Sequence, residues 1–110
     1  MKVEQKGHTT TIKDTQQNLT SFLEKVTNEH HTFKTQNLIL DVTQDKNVSI
    51  KDLKSFSDLS KTHKKGKKSL VLVASDIDFN EVPAALVVVP SLQEAHDIIE
   101  MEEIERDLGF

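Results

Sequence analysis

The chain has 110 residues, of which 35% are hydrophobic and 5% aromatic, and it contains no cysteine. This length fits one domain, and the lack of cysteine excludes a disulfide framework, a thiol nucleophile and a cysteine zinc site. The net charge is −4, and no apolar run has the length of a signal peptide or a membrane span, so we expect a cytoplasmic protein that does not bind membranes.

The N-terminal part of the chain predicts a hairpin, a helix and a buried strand. The polar segments 2–5 and 8–13 can pair about Gly7, because glycine tolerates the backbone of a tight turn. The aliphatic segment from Asn37 to Val42 is typical of a buried strand. Between them, apolar residues at helical spacing predict one buried helical stripe: Leu19, Phe22, Leu23 and Val26.

The middle of the chain predicts a second helix followed by a second buried strand. Ser49 is a favourable N-cap, and Asp52 complements the positive end of the helix. Gly66 is placed to end this helix, and Ser69 to Ala74 forms the next strand. The predicted buried face of this single helix consists of Leu53, Phe56 and Leu59.

The C-terminal part predicts one more strand and a long final helix. Ser75 to Pro83 has room for only one or two helical turns, and Leu86 to Val89 forms the last strand. Ser91 and Glu94 match a capping box, which starts a helix that runs toward Asp107. Aliphatic strands that alternate with helices predict an α/β domain with a mixed, mostly parallel sheet, whose N-terminal hairpin supplies an antiparallel edge.

Two of these strands and the start of the last helix resemble the STAS domain, the family of anti-sigma-factor antagonists and sulfate-transporter tails. The matching segments are 37–42, 67–73 and Pro90-Ser-Leu-Gln-Glu-Ala95, and the resemblance covers about residues 37–100. It implies a STAS-like fold over residues 1–100, with residues 101–110 as an acidic helical extension. It also implies a non-enzymatic regulatory module that binds a signalling protein in a bacterial pathway.

The switch region departs from the family pattern. STAS domains carry Asp-Ser-x-Gly at the start of the second helix, where a partner kinase phosphorylates the serine. Here the corresponding stretch is Asn47-Val-Ser-Ile-Lys-Asp52, and ungapped counting places the family's serine on Ile50, one residue from Ser49. Ser49 is therefore the candidate phosphoacceptor, and a plain N-cap is the competing interpretation.

The sequence from Val89 to Phe110 also resembles the end of short bacterial proteins, some of which are labelled ribonuclease Z. This resemblance implies an alternative function, that of an RNA-processing protein or an accessory to one. The catalytic signature of that enzyme, His-x-His-x-Asp-His, has no match in this chain. We therefore expect no enzymatic activity, no metal and no other cofactor.

Histidines and acidic residues elsewhere fit structural roles better than a metal site. Adjacent His30 and His31 point in directions about 100° apart on a helix, and His30 and His63 continue apolar stripes, as histidines at a core edge do. Asp76 and Asp78 follow the end of a parallel strand, where ligands often bind, but they also suit a solvated turn in which Ser75 or Asp76 caps a short helix.

A basic patch lies at the end of the predicted second helix. Weak nucleic-acid binding through it is a third possible function, but the segment lacks the arginine or aromatic side chains that read bases. A solvated helix end that complements the helix dipole explains the patch without a ligand. Its members are Lys61, Lys64, Lys65, Lys67 and Lys68.

The final helix has two apolar sides. Leu92, Ala95, Ile98 and Ile99 lie at about 0°, 300°, 240° and 340° around its axis and can dock on the sheet. A second set lies nearly opposite, at angles of about 120° to 180°, and acidic residues surround it. We predict that it binds a protein partner or a second copy of the chain, and a frayed terminus is the alternative. The predicted interface consists of Met101, Ile104, Leu108 and Phe110.

Overall fold

The computed structural model describes residues 1–109 and confirms the predicted α/β class. Its sheet has five strands that follow one another in chain order. They are β1 (Lys2–Lys6), β2 (Thr9–Lys13), β3 (Asn37–Asp41), β4 (Leu70–Val73) and β5 (Val88–Val89). The β1–β2 pair is antiparallel and the other three pairs are parallel. The sheet is therefore mixed and mostly parallel, with the predicted hairpin at one edge.

Helices cover both faces of the sheet. They are α1 (Leu19–Asn28), α2 (His30–Phe33), α3 (Ile50–Lys54), α4 (Ser57–Lys65) and α5 (Leu92–Asp107), and a short 3-10 turn spans Phe79–Glu81. None of the helices within residues 1–109 combines the length and the apolar character that crossing a bilayer requires.

The first face of the sheet carries the larger apolar core. Side chains alternate along a strand, so Leu38 and Leu40 of β3 point to one face while Ile39 points to the other. On the first face, Leu40 joins Phe22 of α1 and Phe56, which lies between α3 and α4. These two phenylalanine rings lie 6.4 Å apart, centroid to centroid, at an angle of 50°.

The second face has a smaller core. Ile39, Val71 and Val73 pack there against Ala95 and Ile99 of α5. The same face of β2 carries polar side chains such as Thr11, which stands opposite Ile39 in the parallel register. The apolar part of the second face therefore lies over β3, β4 and β5.

Three local predictions need correction. The predicted second helix is two helices, because the turn at Ser55 and Phe56 separates α3 from α4. The last strand is shorter than predicted and includes only Val88–Val89, although Leu86 is buried. Gly66 does end α4, but its φ is −79°, and the residue with a left-handed backbone is Lys67, at φ 61°.

Candidate functional site

The first half of α5 is held on the sheet by apolar contacts. The Ser91 hydroxyl accepts a hydrogen bond from the Glu94 amide at 3.2 Å and caps the helix, as predicted. Among residues 1–109, the reciprocal bond from the Ser91 amide to the Glu94 carboxylate, which would complete the predicted capping box, is not formed. Ala95 and Ile99 are buried, but the prediction that Leu92 docks with them is wrong, since its side chain is 42% exposed. Leu92 lies in the first turn of α5 and lines a small cleft with polar residues of β1 and β2 and with Asp41 at the end of β3, so its surroundings are polar.

The second half of α5 is held by polar contacts. The Ser69 hydroxyl donates to a carboxylate oxygen of Glu102 at 2.5 Å and accepts from Nη1 of Arg106 at 3.0 Å. Nη2 of Arg106 lies 3.4 Å from Oδ1 of Asn37, which also accepts from the Ser69 amide at 2.9 Å. Glu102 and Arg106 therefore fix the side of α5 that faces the sheet beyond Ile99.

The opposite side of α5 presents an apolar stripe, defined here as Met101, Ile104 and Leu108. These side chains are 57%, 53% and 65% exposed, respectively, although all three are large and apolar. Phe110, which the sequence analysis placed in the same surface, lies outside the described residues. Within residues 1–109, the stripe is an unpartnered apolar surface on the last turns and the C-cap of α5.

Acidic side chains flank the apolar stripe on both sides. Glu100 and Asp107 lie about 80° and 60° from Leu92 around the axis, and Glu105 lies at about 220°, whereas the stripe occupies about 120° to 180°. All three carboxylates are exposed. A surface with an apolar centre and acidic flanks favours a partner with an apolar centre and basic flanks.

The basic patch begins on α4 and lies close to α5. Lys61, Lys64 and Lys65 surround the exposed Ala85 on an open surface. The ammonium group of Lys64 donates to the Ala85 carbonyl at 3.3 Å, which holds that side chain against the surface. A shallow, open depression joins the patch to α5, and its lining includes Lys64, Lys67, Lys68, Glu102, Glu105 and Arg106.

Ser49 caps α3 in the way the sequence predicted. Its hydroxyl accepts from the Asp52 amide at 3.1 Å, and the Asp52 carboxylate accepts from the Ser49 amide at 3.0 Å, which completes a capping box. Ser49 is exposed. A phosphate on its hydroxyl would lie beside the Asp52 carboxylate, and like-charge repulsion would open the box.

His30 and His63, which were expected on two separate apolar stripes, are in contact in the fold. Nε2 of His30 lies 2.8 Å from Nδ1 of His63, and Nε2 of His63 lies 2.7 Å from the Gln36 carbonyl oxygen. That oxygen can only accept, so His63 carries its proton on Nε2 and His30 donates to its free Nδ1. The sequence offered no signal for this pair, because it depends on how α2 packs against α4.

Burial controls the protonation of this histidine pair. His63 is 1% exposed, and burial lowers its pKa to about 4. The hydrogen bond to the Gln36 carbonyl acts in the opposite direction, and His30 and Lys68 lower the pKa by smaller amounts. Burial also lowers the pKa of His30, and the charges of Lys34 and His31 act in the same direction. The pair is therefore neutral at pH 7, and it closes the core edge that the sequence analysis assigned to these residues.

An acidic cluster that was not predicted from the sequence lies at the carboxyl end of the parallel strands. Asp14 follows β2 and Asp41 is the last residue of β3, and both are buried. Both carboxyl oxygens of Asp45 are buried without a hydrogen-bond partner among residues 1–109. Burial, followed by the adjacent Asp14 and Asp41, raises the pKa of Asp45 to about 7. A protonated Asp45 can donate to the Asp14 carboxylate, which explains how two acids share this site.

Of the acidic residues that the sequence singled out, Asp76 lines the same open cleft as Asp45, and Asp78 starts the short 3-10 turn. Asp76 and Asp78 are exposed, and the short 3-10 turn is capped by Asp78, whose carboxylate accepts from the Asn80 amide at 3.0 Å, so the predicted cap at Ser75 or Asp76 is wrong. Within residues 1–109, no three histidine or acidic side chains are grouped so that they could hold a metal ion.

Comparison with known proteins assigns no family or function to this chain, so its function is inferred from the geometry. No protein-family model matches this chain, and no curated protein matches it.

Proposed function

We propose that this chain is a non-enzymatic, STAS-like interaction module that acts by docking the apolar stripe of α5 on another protein surface. The observation that carries the proposal is the exposure of Met101, Ile104 and Leu108 on one side of a helix whose other side is fixed to the sheet. Full burial of a fully exposed side chain of this kind contributes about 1.5 to 3 kcal/mol, and these three are already partly covered, so each contributes about half of that on docking.

The resemblance to anti-sigma-factor antagonists supports a regulatory role in a bacterial, cytoplasmic pathway. A mixed sheet that begins with a hairpin and ends with a covering helix is compatible with that family. The altered switch region argues for recognition through α5 instead of through Ser49, since the Ser49 hydroxyl is already used by the capping box.

The test compares Ile104→Asp with the matched control Gln93→Asp. Both substitutions place a carboxylate at an exposed position of α5, but only the first lies in the apolar stripe. Each protein is immobilised and exposed to native extract, and a photo-reactive residue at position 101 identifies the segment that it contacts. We expect a basic, apolar segment to be captured by the parent and the control, and to be lost with Ile104→Asp.

Two results would refute this function. One is equal capture by Ile104→Asp and the parent when both have the same circular dichroism spectrum. The other is a requirement for zinc, with RNA cleavage that is lost on substitution of a histidine, which would favour the ribonuclease-related alternative. Binding of RNA that collapses with salt and depends on the basic patch would favour the nucleic-acid alternative.

A further inference from the structure

The carboxyl group of Asp45 lies in surroundings that do not suit an ionised carboxylate. Both of its oxygens are buried, and neither accepts a hydrogen bond from a donor within residues 1–109. Burial of a charged carboxylate without donors is strongly unfavourable, so such a group takes up a proton instead. The geometry therefore requires a neutral Asp45 in this arrangement of the chain.

The two acids that face Asp45 already have their donors. The Asp14 carboxylate accepts from two backbone amides of the turn that leads into α1, at 3.0 and 3.2 Å. Oδ1 of Asp41 accepts from the amide and the hydroxyl of Thr43, at 2.9 and 2.7 Å. Such hydrogen bonds favour the charged form of an acid, so the shared proton belongs to Asp45, which donates it to Asp14.

The other charged groups around Asp45 do not offset a third buried carboxylate. Asp76, which follows β4, and Lys46 line the same open cleft as Asp45, and both are exposed. Lys46 makes no ion pair within residues 1–109. On α1, the ammonium group of Lys25 donates to the side chain of Gln16 at 3.3 Å. Ionised Asp45 would therefore be repelled by its neighbours with no cation bound to it.

Asp45 also fastens the middle of a loop. Residues 43–47, which we call the Asp45 loop, connect β3 to the residues that cap α3. The ends of the loop are anchored, because Val42 is buried and Val48 packs against the larger core. The Asp45 carboxyl supplies the side-chain link from the loop to the turn after β2. The exposed members of the loop are Gln44, Lys46 and Asn47.

We infer that the Asp45 loop is a proton-operated latch. While Asp45 holds its proton and donates to Asp14, the loop is closed against the turn after β2. When the proton leaves to solvent, repulsion among the three carboxylates turns Asp45 outward and widens the cleft that it shares with Asp76. The latch lies at the carboxyl end of the strands, whereas the contacts between α5 and Ser69 lie at the other end, so the inference is independent of the proposed function.

The latch responds to pH near neutrality. Burial, followed by Asp14 and Asp41, raises the pKa of Asp45 in the closed loop to about 7, whereas an exposed aspartate titrates near about 4. Between these two values the closed loop binds a proton that the open loop does not. The open form therefore gains population as the pH rises through this window, and the gain levels off above about pH 7.

Trypsin cleavage of the full chain after Lys46 measures the opening, because this bond lies within the loop and its cleavage follows the population of the open form. Each rate is divided by that of Asp45→Asn at the same pH, which removes the pH dependence of the protease. The asparagine amide can still donate to Asp14 but cannot ionise. We expect the ratio to rise about tenfold between about pH 6 and pH 8.

Two controls separate the latch from other effects. Asp76→Asn neutralises an exposed acid of the same cleft and should keep the pH response of the parent. Cleavage after Lys25, in the middle of α1, reports unfolding of the whole domain in the same digest, and its ratio should rise less than that at Lys46. In addition, the carboxyl carbon of Asp45 should titrate near pH 7 in an NMR experiment on the parent.

Three outcomes would overturn the inference. They are a carboxyl group of Asp45 that titrates near pH 4, a cleavage ratio at Lys46 that does not change with pH, and a ratio at Lys25 that rises in parallel with it. The NMR titration uses only the parent, so it decides the question even if Asp45→Asn does not fold. Capture of a partner by the apolar stripe is measured separately, so the proposed function does not fail with the latch.

Discussion

The two faces of the sheet are built differently. Within the described residues, the core of the first face consists of thirteen buried apolar side chains from the sheet and several helices, and that of the second face consists of five from the sheet and α5 alone. The second face makes up for its smaller core with the polar contacts of Glu102 and Arg106. A helix held by a few apolar and a few polar contacts needs only one side for the fold, and its other side is free for recognition.

The largest effect is expected from Leu40→Ala on the first face. Leu40 of β3 is fully buried in the larger core, where side chains from several helices surround it. Because no single helix covers it, we expect the space to be filled only in small part. We expect a loss of about 3 to 4 kcal/mol in the free energy of unfolding, measured from urea denaturation. A smaller loss of unfolding free energy than that of Ile39→Ala, the corresponding variant on the second face, would contradict the proposed difference between the two faces.

Ile39→Ala removes a similar volume from the adjacent residue of the same strand, on the opposite face. Ile39 is also fully buried, but α5 alone covers it and can move inward to fill part of the cavity. We expect a loss of about 2 to 3 kcal/mol, at the lower end for a core aliphatic residue. Hydrogen exchange should show the amides of α5 losing more protection than those of α1, and equal losses would show that the faces do not differ.

The first face should also lose stability in acid. Its pair of His30 and His63 is neutral when folded, and the pKa of His63 is lowered by burial to about 4, whereas an unfolded histidine titrates near 6.5. The unfolded chain therefore binds the extra proton, so this stability is fully present above about pH 6.5 and is lost as the pH falls toward 4. We expect the loss to reach about 1 to 2 kcal/mol by pH 5.

The control for this acid effect is His63→Gln, which cannot titrate but can still donate to the Gln36 carbonyl. Its stability at pH 7 should be lower than that of the parent, and the change between pH 7 and pH 5 should be smaller. Asp45 has the opposite effect on the pH dependence of stability. Because its pKa is raised in the folded state, the folded state binds a proton before the unfolded chain does, and this group adds stability as the pH falls. An identical pH response in parent and variant would show that His63 is not the sensor.

The smallest effect is expected from Arg106→Ala on the second face. This change removes the guanidinium donors to Ser69 and Asn37 and leaves the apolar core of α5 in place. We expect a loss of about 1 kcal/mol, a typical value for hydrogen bonds at a partly exposed site. Arg106→Lys should recover little of this stability, because a single ammonium group cannot reproduce the two guanidinium donors that reach Ser69 and Asn37. Full recovery would show that the positive charge alone is responsible.

The framework of the fold could be predicted because it follows from local patterns. The continuous apolar run of Leu38, Ile39 and Leu40 makes both faces of the strand apolar. This pattern is typical of a parallel strand that is covered on both faces. Ser49 and Ser91 each cap the helix that they were expected to start. Such signals require only neighbours in the sequence.

Other features depend on residues that are far apart in the chain. His30 and His63 meet across 33 positions, and Asp45 shares its surroundings with Asp14 and Asp41 only after the strands align. The exposure of Leu92 likewise depends on where the first turn of α5 lies over the sheet. Spacing along a single helix or strand cannot specify these relationships.

The strand order has a consequence for biosynthesis. Each new strand is added beside the previous one, so the sheet can grow in the order in which the ribosome delivers it. The layer above Ile39, Val71 and Val73 comes from Leu92–Asp107, which is translated after all five strands. A nascent chain therefore exposes an aggregation-prone aliphatic surface until this helix has left the exit tunnel. Chaperones that bind emerging polypeptides can protect that surface during this interval.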